Sequence, residues 1–350
     1  MVGKLDNNFL NSISNNRDFQ DSCLYESFRE KPLGFVDIGS SGGVHPLILP
    51  VASLTHCTCF EPDKTSYQAL IDKYSEGNLF AGMTILNMAV AGNKGTRDLF
   101  ITKSQVNSSL LKPDDQLASR YNVHGFRIEN IMPLETDNLD SLLDGAYKED
   151  RQGEFIKLDC QGAEYEILQG ATRTLDEHCM SLICEVEFFP MYQNQKTFSE
   201  VDLFLRGKGF VLYGLYPNYI SAKKLNRRKF ETEERIVWAD ALYFKDPLDA
   251  VNRDRKYGTR EIHVLLITTI LAKYYDFALE ILHACGFNKE DQERIGRLIF
   301  FLAERDKNNL EGDLLMLIDE VERRREDCYI LAKKFVDRHK SNNSVDFINP

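Results

Sequence analysis

The chain has 350 residues, of which 43% are hydrophobic, and this length exceeds what one hydrophobic core usually supports, so two domains are expected. The formal net charge of −11 argues against a nucleic-acid partner, because neutralising phosphates requires a basic surface. The N-terminus is polar and no apolar run is long enough to cross a bilayer, which predicts a cytoplasmic protein without a membrane span. The cysteines show no spacing typical of a zinc site, so free thiols and no metal are expected.

From residue 34 onward, short apolar runs alternate with helical patterns, which predicts an α/β fold with a mostly parallel sheet. The main predicted strands lie at residues 34–38, 55–60, 84–90, 155–158 and 181–186. Two more, at 209–215 and 235–244, are separated by a polar connection and predict a C-terminal antiparallel hairpin. A further strand at 96–102 is predicted to pair through the turn at 92–95.

The pattern changes near residue 250, where Pro247 is followed by a charged stretch at 252–260. Beyond it, apolar residues recur at intervals of three and four, which predicts helices at 262–275, 277–284, 292–304 and 314–338. The sequence thus divides into an N-terminal helical extension at 1–33, the α/β domain at 34–250 and an all-α domain at 251–350. The last helices are candidates for contacts with a protein partner or a second copy, and plain packing is the alternative.

The first predicted strand runs into a turn of small residues, with the sequence FVDIGSSGG at positions 35–43. Its small residues, which let a ligand lie against the backbone, are Gly39, Ser40, Ser41 and Gly43. A dinucleotide fingerprint would need glycines at Ser41 and Val44, and a P-loop would need a lysine, so both are excluded. Asp37 suits a ligand with a cationic amino-acid end, such as S-adenosylmethionine, better than a pyrophosphate. A helix-capping aspartate in an ordinary turn is the alternative.

Three later positions add to this candidate binding site at the carboxyl edge of the sheet. Glu61 ends the second strand 22 residues after Gly39, where a carboxylate can accept both ribose hydroxyls, and Pro62 then stops the strand. The third strand contributes Asn87 and Ala89 as further cofactor contacts. After the fourth strand, the sequence KLDCQGAE at 157–164 brings Asp159 and Gln161 to the same edge.

Taken together, these blocks resemble the FkbM family of S-adenosylmethionine-dependent methyltransferases. That family typically has VDIGAN-G at its first strand, F-EP at its second and KLDTQGAE or a variant at its fourth, and the stretch ICEVEFFPMYQNQ at 183–195 is similar to its closing section. The resemblance covers about 180 residues in consistent order. Ser40 and Ser41 depart from the usual Ala-Asn, and Cys160 from Val or Thr. The resemblance implies a Rossmann-like class I methyltransferase fold, S-adenosylmethionine as cofactor, and O-methylation of a sugar, glycan or small-molecule hydroxyl.

A sugar hydroxyl is a poor nucleophile until a base removes its proton, so a carboxylate or histidine is expected nearby. Asp159 and Glu187 are the main candidates. Glu185 points the same way as Glu187 by strand alternation, but Glu187 lies nearer the strand end and is preferred. His45, directly after the small-residue turn, is a weaker candidate. Capping, packing or an ordinary salt bridge is the alternative role for each of these residues.

The main basic cluster of this acidic chain comprises Lys223, Lys224, Arg227, Arg228 and Lys229. It falls between the last two strands, near the predicted active edge, and is suited to an anionic acceptor such as a phosphorylated glycan. A solvated connection is the alternative. Two other functions stay open at this point, a non-catalytic cofactor-binding or scaffolding module and a nucleotide-dependent oxidoreductase.

Overall fold

A computed structural model describes residues 10–75, 79–121, 123–144, 153–221 and 233–339. Its strands are β1 (Leu33–Ile38), β2 (Thr55–Phe60), β3 (Gly82–Leu86), β4 (Ala89–Val90), β5 (Gly95–Thr102), β6 (Ile128–Asp137), β7 (Phe155–Leu158), β8 (Ser181–Glu187), β9 (Val211–Ile220) and β10 (Arg235–Phe244). Its α-helices are α1 (Arg17–Gln20), α2 (Cys23–Glu30), α3 (Lys64–Ser75), α4 (Asp115–Tyr121), α5 (Leu139–Asp144), α6 (Glu164–Gln169), α7 (Thr172–Glu177), α8 (Phe198–Gly207), α9 (Thr259–Leu271), α10 (Tyr275–Ala284), α11 (Lys289–Arg323) and α12 (Cys328–His339). Short 3-10 helices lie at Pro46–Leu54, Gln105–Asn107, His124–Phe126, Ala250–Asn252 and Arg325–Asp327.

The main sheet has the strand order β3-β2-β1-β7-β8-β10-β9 in the described part of the chain. Its first five strands are parallel, whereas β10 runs antiparallel to both of its neighbours. The predicted fold class, a mostly parallel sheet with a C-terminal antiparallel pair and a C-terminal helical region, is confirmed. The central strand β1 is buried along its whole length, as expected for a parallel strand covered on both faces.

The sheet has a separate hydrophobic cluster on each face. One cluster joins the sheet to α1, α2, α9, α10 and the first half of α11. The other joins it to α6, α7 and α8. The helices after residue 250 therefore complete the core on one face of the sheet. The division of the chain at residue 250 stays a prediction.

A small second sheet, in the order β4-β6-β5, lies beside the first. The predicted strand at 84–90 is divided between β3 and β4. The expected pairing through the turn at 92–95 is wrong, because β4 and β5 each pair with β6 instead of with one another. The sequence of β6 gave no clear strand signal, since it contains Pro133, and proline cannot donate to a ladder.

The C-terminal helices differ from expectation at one place. Residues 292–304 and 314–338 were predicted as two helices, but α11 continues from Lys289 to Arg323 and α12 follows it. The polar residues between the two apolar stretches removed the periodic signal, yet without proline they continue the helix. Among the described residues, no helix is long and apolar enough to span a membrane.

Candidate active site

A cavity of about 910 Å³ opens at the carboxyl edge of the parallel strands, between the two sheets. The predicted site residues on its wall are Asp37, Gly39, Ser41, Gly43, His45, Glu61, Pro62, Ala89, Asp159, Gln161 and Glu187. Two others, Ser40 and Asn87, are not on the wall. Ser40 is buried, with its hydroxyl donating to the carbonyl of Phe60 at 3.4 Å. Asn87 donates to the carbonyls of Glu61 and Pro62, both at 2.9 Å, and so positions that turn.

The turn after β1 is held by the fully buried carboxylate of Asp37. Its Oδ2 accepts from the backbone N–H of His45 at 2.8 Å, whereas the buried Oδ1 has no hydrogen-bond partner among the described residues. Gly39 has φ of 81°, and a Cβ there would collide with the carbonyl oxygen of Asp159. Only glycine therefore lets this turn lie so close to the end of β7.

His45 caps the 3-10 helix that follows the turn. Its Nδ1 accepts from the backbone N–H of Leu47 at 3.4 Å, and burial lowers the pKa of the imidazole. These contacts are those of a capping residue. They match the alternative given for His45 from the sequence.

Glu61 ends β2 on the cavity wall. Its Oε1 accepts from the backbone N–H of Asp63 at 2.9 Å, and the other carboxylate oxygen makes no hydrogen bond with the residues that the structure describes. Burial raises the pKa of Glu61 to about 7. The carboxylate is thus placed, with one free oxygen, to accept hydrogen bonds from a ligand.

Lys157 lies at the centre of the site and was not among the predicted residues. Its Nζ donates to the carbonyl of Gly39 at 3.0 Å and lies 3.5 Å from both Asp37 Oδ1 and Asp159 Oδ2. Burial lowers the pKa of this lysine, but the two carboxylates outweigh it and the pKa is raised overall. A lysine between two buried apolar residues of a strand was the available signal, because it must find a partner.

Gln161 links two carboxylates. Its Nε2 donates to Asp159 Oδ1 at 2.9 Å and to Glu185 Oε2 at 2.6 Å. Its Oε1 accepts from the hydroxyl of Tyr192 at 3.2 Å, which fixes the orientation of the amide. The backbone of Gln161 is left-handed, with φ of 55°, and its carbonyl accepts from the hydroxyl of Ser109 at 2.7 Å. Gln161 therefore acts here as a positioning group for Asp159 and Glu185.

The carboxylates around Gln161 differ in their environments. Asp159 is the most open, with 39% of its side chain exposed. Glu185 and Glu187 are buried, and burial, followed by neighbouring carboxylates, raises the pKa of each well above the usual range. Glu164 accepts from the backbone N–H groups of Cys160 and Gly162 at 2.6 and 2.8 Å, so it shapes the turn after β7. At neutral pH, Glu185 and Glu187 retain their protons more readily than an exposed glutamate.

The far end of the cavity is mainly apolar, and sequence reasoning missed it. Its wall includes Val106, Phe126, Met191, Val237 and Trp238, the last being the single tryptophan of the chain. These residues come from separate loops and strands, so no local pattern connected them. The predicted basic cluster at 223–229 lies outside the described residues. Within those residues, no group of histidines, cysteines and acids could hold a metal ion.

The strand order and the cavity at the carboxyl edge of the sheet are those of a Rossmann-like α/β domain. Residues 43–212 match the family profile described as Methyltransferase FkbM domain. This part of the chain is therefore an FkbM methyltransferase domain, as the resemblance implied, and S-adenosylmethionine is the methyl donor that goes with it.

Solved structures of several methyltransferases are similar to the chain. An FkbM methyltransferase from Methylobacillus flagellatus KT is 17% identical with a TM-score of 0.37, and the match covers 61% of this chain and 43% of that one. Magnesium protoporphyrin IX methyltransferase from Synechocystis PCC 6803, with bound S-adenosylmethionine, is 10% identical, with a TM-score of 0.30 and coverages of 63% and 74%. TrmK from M. capricolum, in complex with S-adenosylhomocysteine, is 12% identical, with a TM-score of 0.29 and coverages of 81% and 95%. No curated protein matches the chain.

Proposed function

We propose that this protein transfers a methyl group from S-adenosylmethionine to a hydroxyl group of a sugar, glycan or other small molecule. The observation that carries the proposal is a single cavity with two kinds of wall. One end has the glycine turn and Glu61, and the other has a cluster of carboxylates beside an apolar surface. The first end is suited to a nucleoside joined to an amino acid, and the second to an acceptor that must lose a proton.

The chain's own residues fit the cofactor. Glu61 has an oxygen available for the ribose, and Pro62, Met88 and Ala89 provide an apolar wall beside it for the base. Asp37 Oδ1 is a buried acceptor without a hydrogen bond, next to the turn that would hold the methionine end. When bound, S-adenosylmethionine supplies an electrophilic methyl group on a positively charged sulfur, and the acidic character of this wall suits that charge.

In the proposed reaction, Glu187 accepts the proton of the acceptor hydroxyl. Its raised pKa makes the ionised form a stronger base than an ordinary glutamate. Lys157 and Gln161 hold Asp159 from two sides, and the open face of Asp159 orients the acceptor. The apolar side chains around Trp238 exclude water, so positioning provides most of the acceleration.

The reacting end of the cavity favours a neutral hydroxyl over an anionic group. In the described part of the wall it carries Asp159, Glu185 and Glu187, and the cation among them, Lys157, already faces two carboxylates. An anionic part of the acceptor would have to lie away from this point. The basic cluster at 223–229 is the segment proposed to contact it.

Calorimetric titration with S-adenosylhomocysteine and transfer of labelled methyl to glycan extracts test the proposal. We expect the wild-type chain to bind the cofactor product and to label the extract. Glu187→Gln should lower transfer by roughly 100-fold or more while leaving cofactor binding within a few-fold, because it removes only the base. Cofactor binding without transfer to any hydroxyl acceptor would favour the scaffolding alternative, and absence of cofactor binding would overturn the assignment.

A further inference from the structure

The middle of α11, between Phe300 and Ile318, carries an apolar stripe that no described residue covers. Phe300 and Phe301 are 66% and 56% exposed, and Leu315 and Ile318 are 68% and 50% exposed. The first half of the same helix is anchored in the core through residues such as Ile299 and Leu302. A rigid, anchored helix therefore presents large apolar side chains to solvent, which is unusual for a surface with no partner.

The exposed residues lie on one face of the helix. Phe300 and Ile318 are 18 residues apart, which is five turns, so they project in the same direction about 27 Å from each other. Glu304, Lys307 and Glu311 lie between them on this face and are exposed, and Lys307 Nζ also lies 3.8 Å from Glu304 of its own helix. The face thus reads apolar, charged, apolar, with the two apolar ends at equal distances from a midpoint level with Asn309.

We infer that this face of α11 is the contact surface for a second copy of the chain, arranged antiparallel about a two-fold axis level with Asn309. In that arrangement Phe300 of each copy faces Ile318 of the other. Lys307 of each copy likewise faces Glu311 of the other. A two-fold interface requires a self-complementary surface, and both the apolar ends and the opposite charges meet that requirement.

The charged centre also sets the register of the pair. A shift by one turn would move Lys307 away from Glu311 of the partner and place a phenylalanine beside charged residues. Antiparallel helices with apolar contacts at both ends and paired charges between them resist such slippage.

Sedimentation velocity on the full-length chain over a range of concentrations tests this inference. We expect a monomer–dimer equilibrium for the wild type. Phe300→Asp and Ile318→Asp should each abolish the dimer. Met316→Asp is the matched control, because Met316 is 61% exposed on the same helix but points about 160° away from Phe300. Circular dichroism verifies that each variant remains folded.

A charge exchange tests the register separately. Lys307→Glu and Glu311→Lys should each weaken self-association roughly tenfold, because like charges then meet twice at the interface. Mixing the two variants should restore association, since each then offers the opposite charge to the other.

Three results would overturn the inference. They are a wild type that is monomeric at every concentration, a Met316→Asp variant that disrupts association as strongly as Phe300→Asp, and a mixture no better than its components. If the wild type is monomeric but a chain ending at His339 dimerises, the occupant of this face is the chain's own C-terminal segment.

Discussion

The carboxylate of Asp37 makes the structural contact that its motif suggested and leaves one oxygen for the ligand-binding role, which stays a prediction. Oδ2 caps the turn through His45, which is the structural role, and Oδ1 stays without a hydrogen bond beside the cavity. Lys157 balances the charge at 3.5 Å without saturating that oxygen. A buried carboxylate oxygen without a hydrogen bond destabilises the folded protein unless a ligand or a water molecule donates to it. The residue therefore both shapes the turn and provides an acceptor at its inner surface.

Glu61 predicts a pH dependence of cofactor binding. Because burial raises its pKa to about 7, the side chain is protonated in mildly acidic buffer and ionised above neutrality. The ionised form accepts ribose hydroxyls better, so affinity for S-adenosylhomocysteine should rise as the pH increases from about 6 to 8 and then level off. Glu61→Gln should bind roughly tenfold more weakly at the upper pH and lose this slope. Calorimetry at several pH values measures both effects.

The exposed carboxylate of Asp72 on α3 provides the control for that experiment. Asp72→Asn should keep the wild-type affinity and the wild-type slope. If Glu61→Gln retains the full slope as well, the titrating group is another residue and the role of Glu61 at the ribose is wrong.

Among the residues of the candidate site, the sequence predicted the location of those that lie at the end of a strand. Asp37, Glu61 and Asp159 belong to this group, because parallel strands bring their carboxyl ends to one edge. The contacts of Lys157 and Gln161 were not predictable. They depend on strand register and on the closure of two distant loops, one carrying Ser109 and the other Tyr192.

The antiparallel pairing of β8 and β10 places two acids opposite one another. Glu185 and Asp240 are register partners, so their side chains lie on the same face of the sheet. Burial, and then the nearby Asp159, raises the pKa of Asp240 to about 6 and that of Glu185 well above its usual range. The free energy of the folded strand pair is thus lower when at least one of these carboxyl groups is protonated.

Asp240→Asn should therefore stabilise the protein at pH 7.5, and by less at pH 5, where only part of the loss has developed. In the unfolded chain this carboxyl ionises near its ordinary pKa of 3.8, whereas in the folded protein it keeps its proton up to about 6. The folded state binds more protons in that window, so stability falls as the pH rises, and asparagine removes this loss. We expect a melting temperature higher by a few degrees at pH 7.5. A change in melting temperature that is equal at both pH values would contradict the raised pKa of Asp240.

Prediction from sequence was least successful for elements without a regular apolar pattern. The strand β6 was missed because its alternation is interrupted by Pro133 and nine of its ten residues are exposed or half-exposed. The continuity of α11 was missed because the residues between Leu302 and Leu314 are mostly polar. In both cases, pairing or helix propagation continues an element through residues that carry no burial signal.

One buried ion pair, Arg260–Glu154, connects several parts of the chain. Arg260, at the start of α9, makes two hydrogen bonds of 2.7 Å to Glu154, and its remaining N–H groups donate to the carbonyls of Lys31 and Pro32. Glu154 in turn accepts from the backbone N–H of Gly34 at 2.9 Å. The N-terminal extension, the first strand, the entry to β7 and the C-terminal helices thus meet around this ion pair.

Arg260→Met should consequently destabilise the whole chain by about 3 kcal/mol or more, because it leaves Glu154 buried without its partner. The double variant with Glu154→Gln should lose less than the sum of the two single changes. Arg297→Met is a matched control, because Arg297 pairs with Asp18 at an exposed contact between the C-terminal helices and the N-terminal extension. Such exposed pairs contribute about 1 kcal/mol or less.

Urea unfolding, followed by both Trp238 fluorescence and circular dichroism, measures these differences. Because one hydrophobic cluster includes the sheet and the C-terminal helices, the two signals should change together. Separate transitions, or equal losses for Arg260→Met and Arg297→Met, would contradict the view that this pair unites the molecule.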